Sequence, residues 1–380
     1  MRGVTCAAKR GGRVSRVGCG SRRRRGRIGG VPVSGVEALT IALAEQARAA
    51  LEPAVVDYFA GGSGSETSLE EARTAWLDYR LRPRVLTDVS TIELRTSLLG
   101  TPLPSPIALA PMAYQGLLHP QGEVAARQGA GAHLTIVSTR ASRPIEEIGD
   151  AATGPWWFQA YVTVERSLIV ALAQRAAAAG ASAIVLTGDT PYIARKARAG
   201  RPAALGSPDT MVNFAPHLRA GADPALATEQ NPTANPGDIA WLQQVSGLPV
   251  LVKGVLRADD ARRCLDAGAA GLVVSNHGGR QLDRAVAPAH ALRGVVEAAD
   301  GAPVLVDGGV RSGLDVLTAL ALGAAGVLVG RPFAWALATG GADGVQQLLT
   351  AFDDELAHVL GLAGCTTVAA ATPDLVAPLT

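Results

Sequence analysis

Eight short apolar runs punctuate the chain: Pro106–Ala110, His133–Ser138, Trp156–Tyr161, Ala183–Thr187, Pro249–Lys253, Gly271–Ser275, Pro303–Asp307 and Gly326–Gly330. Each has the length of a strand, and most are nearly continuously apolar, the pattern of parallel strands covered on both faces. Helix-like stretches lie between them, at Gly122–Gly131, Val164–Ala179, Ala258–Ala267 and Leu314–Leu322. The last three stop at Gly180, Gly268 and Gly323, as helix C-termini commonly do. Alternating strand and helix predicts βαβ units with right-handed crossovers. Eight units in about 230 residues predict an α/β protein of the (β/α)8 TIM-barrel class, whose usual size is about 250 residues. An open doubly wound sheet is the alternative, but no G-x-G-x-x-G follows the first run.

The remaining chain divides around this repeat. Val36–Leu51 reads as a helix, so residues 36–105 are expected to form an N-terminal helical segment packing on a barrel of residues 106–380, which ends in C-terminal helices. The interval from Thr187 to Pro249 exceeds what one helix needs, and predicts a long loop after strand 4, a lid or an insert. Residues 1–35 are a basic extension with the run Arg22-Arg23-Arg24-Arg25. A targeting signal or a nucleic-acid arm would use such charge. The stretch that follows, Ile28 to Gly35, is short and broken by glycine, so a solvated, disordered tail is the plainer reading.

Composition narrows the class. Residues 1–30 hold nine Arg, one Lys and no acid, so a whole-chain charge of +2 leaves the remainder at −8. A mildly acidic body is not built for nucleic acid. An apolar share of 48% supports a large core. No uninterrupted apolar stretch is long enough for a membrane span; the richest, Val316–Val329, contains Thr318, Gly323 and Gly326 and reads as a helix followed by a strand. Cys6, Cys19, Cys264 and Cys365 lie far apart with no CxxC, so neither a disulfide framework nor a metal site is expected. A reducing, cytoplasmic setting fits.

In a barrel of this kind chemistry sits at the C-terminal ends of the strands. Those ends carry Pro111-Met112-Ala113, Ser138, Gln159 with Tyr161, Thr187 with Asp189, Lys253, Asn276-His277, Asp307-Gly308-Gly309 and Gly330-Arg331. So many polar or glycine endings in register predict a mouth that binds a polar ligand. Asp307-Gly308-Gly309-Val310-Arg311 and Gly330-Arg331 follow runs 7 and 8, where barrel phosphate sites form. Lys253 ends a buried run and needs a partner there; it could form a Schiff base or sit by a cofactor atom that turns negative. Ser275 to Asp283 is the densest polar cluster, with His277 and Arg280 three residues apart, a base beside a carboxylate-binding group. Asp189 could orient the imidazole.

These residues resemble the FMN-dependent 2-hydroxy acid oxidases and dehydrogenases, the family of glycolate oxidase, lactate oxidase, lactate 2-monooxygenase and mandelate-oxidising enzymes. The resemblance runs from Val36 to Leu362 and rests on Gln115-x-x-x-His119-Pro120-x-Gly122-Glu123, Leu251-Val252-Lys253-Gly254-Val255, Ser275 to Asp283, and Asp307-Gly308-Gly309-Val310-Arg311. It implies FMN contacting the backbone of Pro111, Met112 and Ala113 and the side chains of Ser138, Gln159, Thr187, Lys253 and Ser275. It implies a phosphate on Asp307, Gly308, Gly309, Arg311, Gly330 and Arg331. His277 would be the active-site base, Asp189 its partner, and Lys253 a positive charge beside the flavin. Arg280 would hold the substrate carboxylate, with Tyr58 and Tyr161 donating hydroxyl hydrogen bonds. The implied reaction turns an L-2-hydroxy acid into a 2-keto acid by hydride transfer or through a carbanion, with O2 returning as hydrogen peroxide. A homotetramer or homo-octamer is implied as well.

Two positions depart from the family pattern. Lys196 stands where a second carboxylate-binding Arg is usual, with Arg195 beside it as a substitute if the turn shifts. Arg140 stands where an aromatic or aliphatic residue lines the side-chain pocket. It points inward to a polar tail, or outward to solvent, Glu146 or Glu147. These departures keep open a biosynthetic FMN oxidase or a lactate 2-monooxygenase-like enzyme acting on a larger or atypical hydroxy acid or amine. A barrel that binds FMN without turnover is a third reading, opposed by the complete set of His277, Asp189 and Lys253.

Overall fold

The computed structural model describes residues 27–28, 31–32, 35–152, 154–198, 200, 202–207 and 210–378. The eight predicted runs form one closed, all-parallel barrel. Its strands are β1 Ile107–Leu109, β2 Thr135–Ser138, β3 Trp156–Ala160, β4 Ile184–Thr187, β5 Val250–Val255, β6 Gly271–Val274, β7 Val304–Asp307 and β8 Gly326–Val329. Each pairs with its sequence neighbours, and β8 closes on β1. Apart from Gly254, every strand residue is buried, which is why the runs lack polar alternation.

The barrel interior is filled by Ala108, Leu134, Ile136, Trp157, Val185, Leu251, Val273, Leu305 and Leu328. Leu98 and Leu103 join this core from a hairpin of Thr96–Leu98 and Thr101–Leu103. Leu98 lies beside Gly326, the first residue of β8, so the hairpin plugs the N-terminal end and leaves the opposite mouth for a ligand. The four predicted helices are found at Gly122–Ala130, Arg166–Ala178, Ala258–Asp266 and Gly313–Ala321. Gly180, Gly268 and Gly323 all take positive φ after their helices, at 90°, 95° and 101°. The long β4–β5 interval ends in a further helix, Gly237–Ser246, whose weak apolar stripe of Ile239 and Leu242 hid it from pattern reading.

Upstream, the helices Val36–Ala50, Pro53–Ala60 and Thr67–Thr74 precede Tyr79–Leu81, which pairs antiparallel with Val376–Pro378. The expectation of a disordered basic tail falls on residues that lie largely outside those described; Arg27–Ile28 pairs antiparallel with Val31–Pro32. Cys6 and Cys19 also lie outside, while Cys264 and Cys365 are free and buried. No described helix is long and apolar enough to cross a membrane.

Gly129 marks a tight contact between two helices. A Cβ there would lie 2.3 Å from the carbonyl oxygen of Ala342 and 2.7 Å from the Val345 Cβ, both on the final helix, Arg331–Leu362. Alanine would gain about 1 kcal/mol of helix propensity, against about 1–3 kcal/mol for overpacking. Backbone cannot yield as a side chain can, so the clash wins. Gly129→Ala should lower unfolding free energy by about 1–2 kcal/mol in urea titrations; a stability equal to the parent would overturn this packing.

Candidate functional site

The open barrel mouth holds a cavity of about 680 Å³, within the roughly 300–1,000 Å³ of small-molecule sites. Its floor is a hydrogen-bonded row across neighbouring strand ends. Ser138 Oγ donates to Gln159 Oε1 at 3.2 Å, and Gln159 Nε2 donates to Thr187 Oγ1 at 2.9 Å. Thr187 pairs in register with Lys253 on β5. Lys253 Nζ donates to Ser275 Oγ at 2.8 Å and meets Asp307 Oδ2 at 3.1 Å, with both charged side chains nearly buried. The partner demanded by a buried ammonium is thus the carboxylate at the end of β7. Asp307 Oδ1 is buried without a protein partner among the described residues.

β6 ends one residue before Ser275, and the chain turns at once. His277 takes φ 58° and Gly278 and Gly279 take 62° and 72°. The left-handed conformation costs a non-glycine residue about 1–3 kcal/mol. Ser275 Oγ accepts the His277 N–H at 3.0 Å, and Asn276 Oδ1 accepts that of Gly279 at 3.1 Å, which hold the turn. His277 Nδ1 then lies 2.9 Å from Asp189 Oδ1, which also accepts from Thr190 Oγ1 at 2.9 Å. A Cβ on Gly254 would sit 2.5 Å from that of Asp189, so glycine makes room for the acid. Burial raises the Asp189 carboxyl, but the His277 charge and hydrogen bond, Lys253 and Thr190 outweigh it and bring it down to about 2. An ionised carboxylate only accepts, so Nδ1 carries a proton, and whenever the ring is neutral Nε2 is its accepting nitrogen; the ring lines the cavity.

Cations crowd the cavity around this turn. Arg280 Nη1 donates to the carbonyls of Tyr58 and Gly61 at 2.6 and 2.9 Å, and its guanidinium lies 5.1 Å from the Tyr58 ring. Lys196 donates to the Arg280 carbonyl. Burial, then repulsion from Arg280 and Arg331, brings the Lys196 ammonium down to about 8. Arg140 donates to the Thr228 carbonyl at 2.6 Å and, at 3.4 Å, to the Tyr114 hydroxyl. Of the two orientations left open for Arg140 it takes the inward one; Glu146 pairs with Arg175 and Glu147 with Arg143. Arg195 is exposed and off the lining, so the shifted turn does not occur.

At the β7 and β8 ends Gly308 and Gly309 take φ of 97° and 81°. A Cβ on Gly309 would fall 1.7 Å from the Ala72 carbonyl oxygen, and Trp76 Nε1 donates to the Gly308 carbonyl at 2.9 Å. The N-terminal segment therefore forms the wall behind this loop. Arg311 lines the cavity, and burial brings its guanidinium down to about 10. Gly330 precedes the final helix, whose N-terminus has no side-chain cap.

The cavity thus gathers almost every residue singled out in the sequence: Tyr58, Pro111, Met112, Ala113, Tyr161 and Gly330 line it with those already described. Two do not line it. Asp189 acts on it through His277, and Ser275, expected against the cofactor, lies behind Lys253 and His277 instead. Arg331 lines the cavity, yet its guanidinium is held by the carbonyls of Phe59, Gly61 and Gly278 at 2.9–3.1 Å. Sequence reading gave no site role to Tyr114, Thr190, Gln281 or Trp76. Tyr114 and Thr190 stand beside named strand-end residues and were within reach of that argument; Trp76 carries no local signal.

The residues suit a flavin mononucleotide. Lys253 and the Ser138–Gln159–Thr187 row offer donors to a planar polar ring, while Arg311, the glycine turn and an uncapped helix start suit a phosphate. The model of the family described as FMN-dependent dehydrogenase matches residues 47–378. The chain belongs to this family. It is 41% identical over 337 residues to L-lactate oxidase of Nostoc sp., covering 84% of this chain and 92% of that one. It is 44% identical over 346 residues to 4-hydroxymandelate oxidase of Amycolatopsis orientalis, covering 87% and 96%. A solved structure of mandelate oxidase with (S)-4-hydroxymandelic acid superposes with a TM-score of 0.78 at 41% identity, covering 87% of this chain and 96% of that one. As an FMN-dependent dehydrogenase the protein is a flavoenzyme that oxidises a 2-hydroxy acid to its 2-keto acid.

The Lys253–Asp307 pair makes a sharp stability prediction. Lys253→Met leaves a buried carboxylate unpaired and should cost about 3–5 kcal/mol. Adding Asp307→Asn removes that charge and should restore at least about half of the loss. Urea unfolding of the FMN-free proteins measures both; additive losses would refute the coupling.

Proposed function

We propose that the enzyme oxidises an L-2-hydroxy acid with His277 as the base and Asp189 as its charged partner. The observation that carries this reading is the 2.9 Å contact of His277 Nδ1 with a buried, ionised Asp189, on a ring that faces a cationic cavity. FMN, when bound, supplies the two-electron acceptor. Ser138, Gln159, Thr187 and Lys253, with the backbone of Pro111 to Ala113, hold its ring. The backbone of Asp307, Gly308, Gly309 and Gly330, with the Arg311 guanidinium, would hold its phosphate end, with Arg331 bracing the loops around it.

Arg280 and Lys196 bind the substrate carboxylate. Tyr161 and Tyr58 keep their phenol protons, since burial pushes both well above the ordinary range, and so donate to the substrate. His277 Nε2 takes the proton that leaves the substrate, and Asp189 offsets the charge that then resides on the imidazole. General-base help of this kind contributes about 10²–10⁴-fold. O2 is the acceptor in this reading and hydrogen peroxide the by-product. A homotetramer or homo-octamer in the cytoplasm completes it, a location supported by the free buried thiols of Cys264 and Cys365.

The direct test is anaerobic mixing of the yellow holoenzyme with a panel of 2-hydroxy acids, followed by oxygen and a peroxide assay. Bleaching and peroxide are expected; a flavin that no 2-hydroxy acid bleaches would sink the proposal. Asp189→Asn should retain flavin absorbance and lose at least about 10²-fold in kcat. A loss under about fivefold would show that the acid does not support the base.

Lys196 generates a pH prediction. Its ammonium is charged below about 8 and neutral above, so the carboxylate grip weakens as pH rises through that value. The ratio kcat/KM should fall on the alkaline side of pH 8, chiefly through KM. Lys196→Arg keeps its charge over this range and should move the limb upward by at least about one pH unit. Superimposable profiles from pH 6 to 10 would remove Lys196 from the site.

A further inference from the structure

We propose that Arg140 forms a distal subsite that selects a 2-hydroxy acid carrying a second carboxylate at the far end of its side chain. This rests on the function proposed above, since it assigns the other end of the same substrate. Arg140 follows β2 by two residues and is fixed rather than trailing into solvent. The Thr228 carbonyl holds Nη2 at 2.6 Å, and the Phe214 ring lies 5.8 Å from the guanidinium carbon. Its remaining polar contact is the long one, 3.4 Å, to the Tyr114 hydroxyl.

Of the other cations lining the cavity, Arg280 and Lys196 are assigned above to the substrate carboxylate and Arg311 to the phosphate, and the rest are already held. Lys253 pairs with Asp307 and Arg198 with Glu66. Arg331 is held by its carbonyls. Among the described residues no carboxylate forms an ion pair with Arg140. Glu229 also lines the cavity but is exposed, where solvent screens it. Arg140 is thus a half-buried guanidinium with donors to spare and no anion.

Its placement sets the ligand. Arg280 lies against the Tyr58 ring, that ring lies 6.0 Å from the Tyr114 ring, and Arg140 meets the Tyr114 hydroxyl. Two guanidiniums therefore bracket a pair of tyrosines. A ligand with a carboxylate at each end and a hydrocarbon between them matches this order of cation, aromatic wall and cation. A purely apolar tail would desolvate Arg140 and return no acceptor. A carboxylate returns a charge-assisted and geometrically matched one.

The test compares three kinds of substrate on the holoenzyme: 2-hydroxy dicarboxylates of four to eight carbons, of which the best is carried forward, its isostere with a methyl group in place of the distal carboxylate, and an aryl 2-hydroxy acid. The parent should favour the dicarboxylate over its isostere by about tenfold or more in kcat/KM, the scale of a charged hydrogen bond. Arg140→Leu should bring that ratio to about one, mainly through the KM of the dicarboxylate, and Arg140→Lys should keep part of it. An equilibrium arm uses the corresponding 2-deoxy dicarboxylate and monocarboxylate, with Kd read from the flavin absorbance shift; the same ratio and the same collapse are expected. A ratio near one in the parent, a ratio unchanged by Arg140→Leu, or a preference for the aryl acid over the dicarboxylate overturns the subsite. If no 2-hydroxy acid bleaches the flavin, the proposed function fails, and the equilibrium arm still decides for or against the subsite.

Discussion

Charge buried at the mouth of an apolar barrel is the constraint on which the rest of the site depends. The strands deliver Lys253, Asp307, Asp189 and His277 into a region with little water, where an unpaired ion costs several kcal/mol. The geometry answers with pairs: Lys253 with Asp307, and His277 with Asp189. Ser275 links the two, because its hydroxyl takes a hydrogen bond from Lys253 and another from the His277 backbone. One small side chain therefore sets both the height of the ammonium and the start of the left-handed turn that brings the imidazole to its acid.

That arrangement explains what could be read from the chain and what could not. The strands were legible because a barrel covers them on both faces, leaving continuous apolar runs. The polar endings were legible because the fold class says where strand ends point. Ser275 was placed one layer too far forward: position along a strand end does not say whether a side chain faces the ligand or props a neighbour that does. Arg331 shows the same gap, since its hydrogen-bonding carbonyls at Phe59 and Gly61 lie some 270 residues away in sequence. The inward turn of Arg140 depends on Thr228, in the long β4–β5 interval, and no local pattern couples those two positions.

The N-terminal segment belongs to the site in the same long-range way. The Ala72 carbonyl fills the space that a side chain at Gly309 would need, and Trp76 ties down the Gly308 carbonyl. The Ser63 N–H donates to the Gly279 carbonyl, and a Cβ on Gly279 would sit 2.6 Å from the Leu69 backbone. Glycine is required at both places because two backbones meet there, besides the positive φ each adopts. The His277 turn and the glycine turn after β7 are each pressed from behind by residues 63–76, so the barrel alone does not complete its own mouth.

A buried carboxyl on the other flank plays the corresponding part for the first two loops. Glu123, in the helix after β1, accepts the N–H groups of Gln115 and Ser142 at 3.1 and 3.0 Å. Burial pushes its carboxyl up to about 7, against the pull of those same backbone donors. Gln115 follows Tyr114, and Ser142 lies two residues past Arg140, so the side chain joins the two loops that carry the aromatic wall and the distal guanidinium. Tyr114 itself is held at φ 59°, a conformation that needs such support. An acceptor is needed there because an apolar residue of the same size would leave two loop N–H groups unpaired. The Tyr114 and Arg140 end of the cavity is thus built on a carboxyl behind its lining, much as the His277 end is built on Ser275.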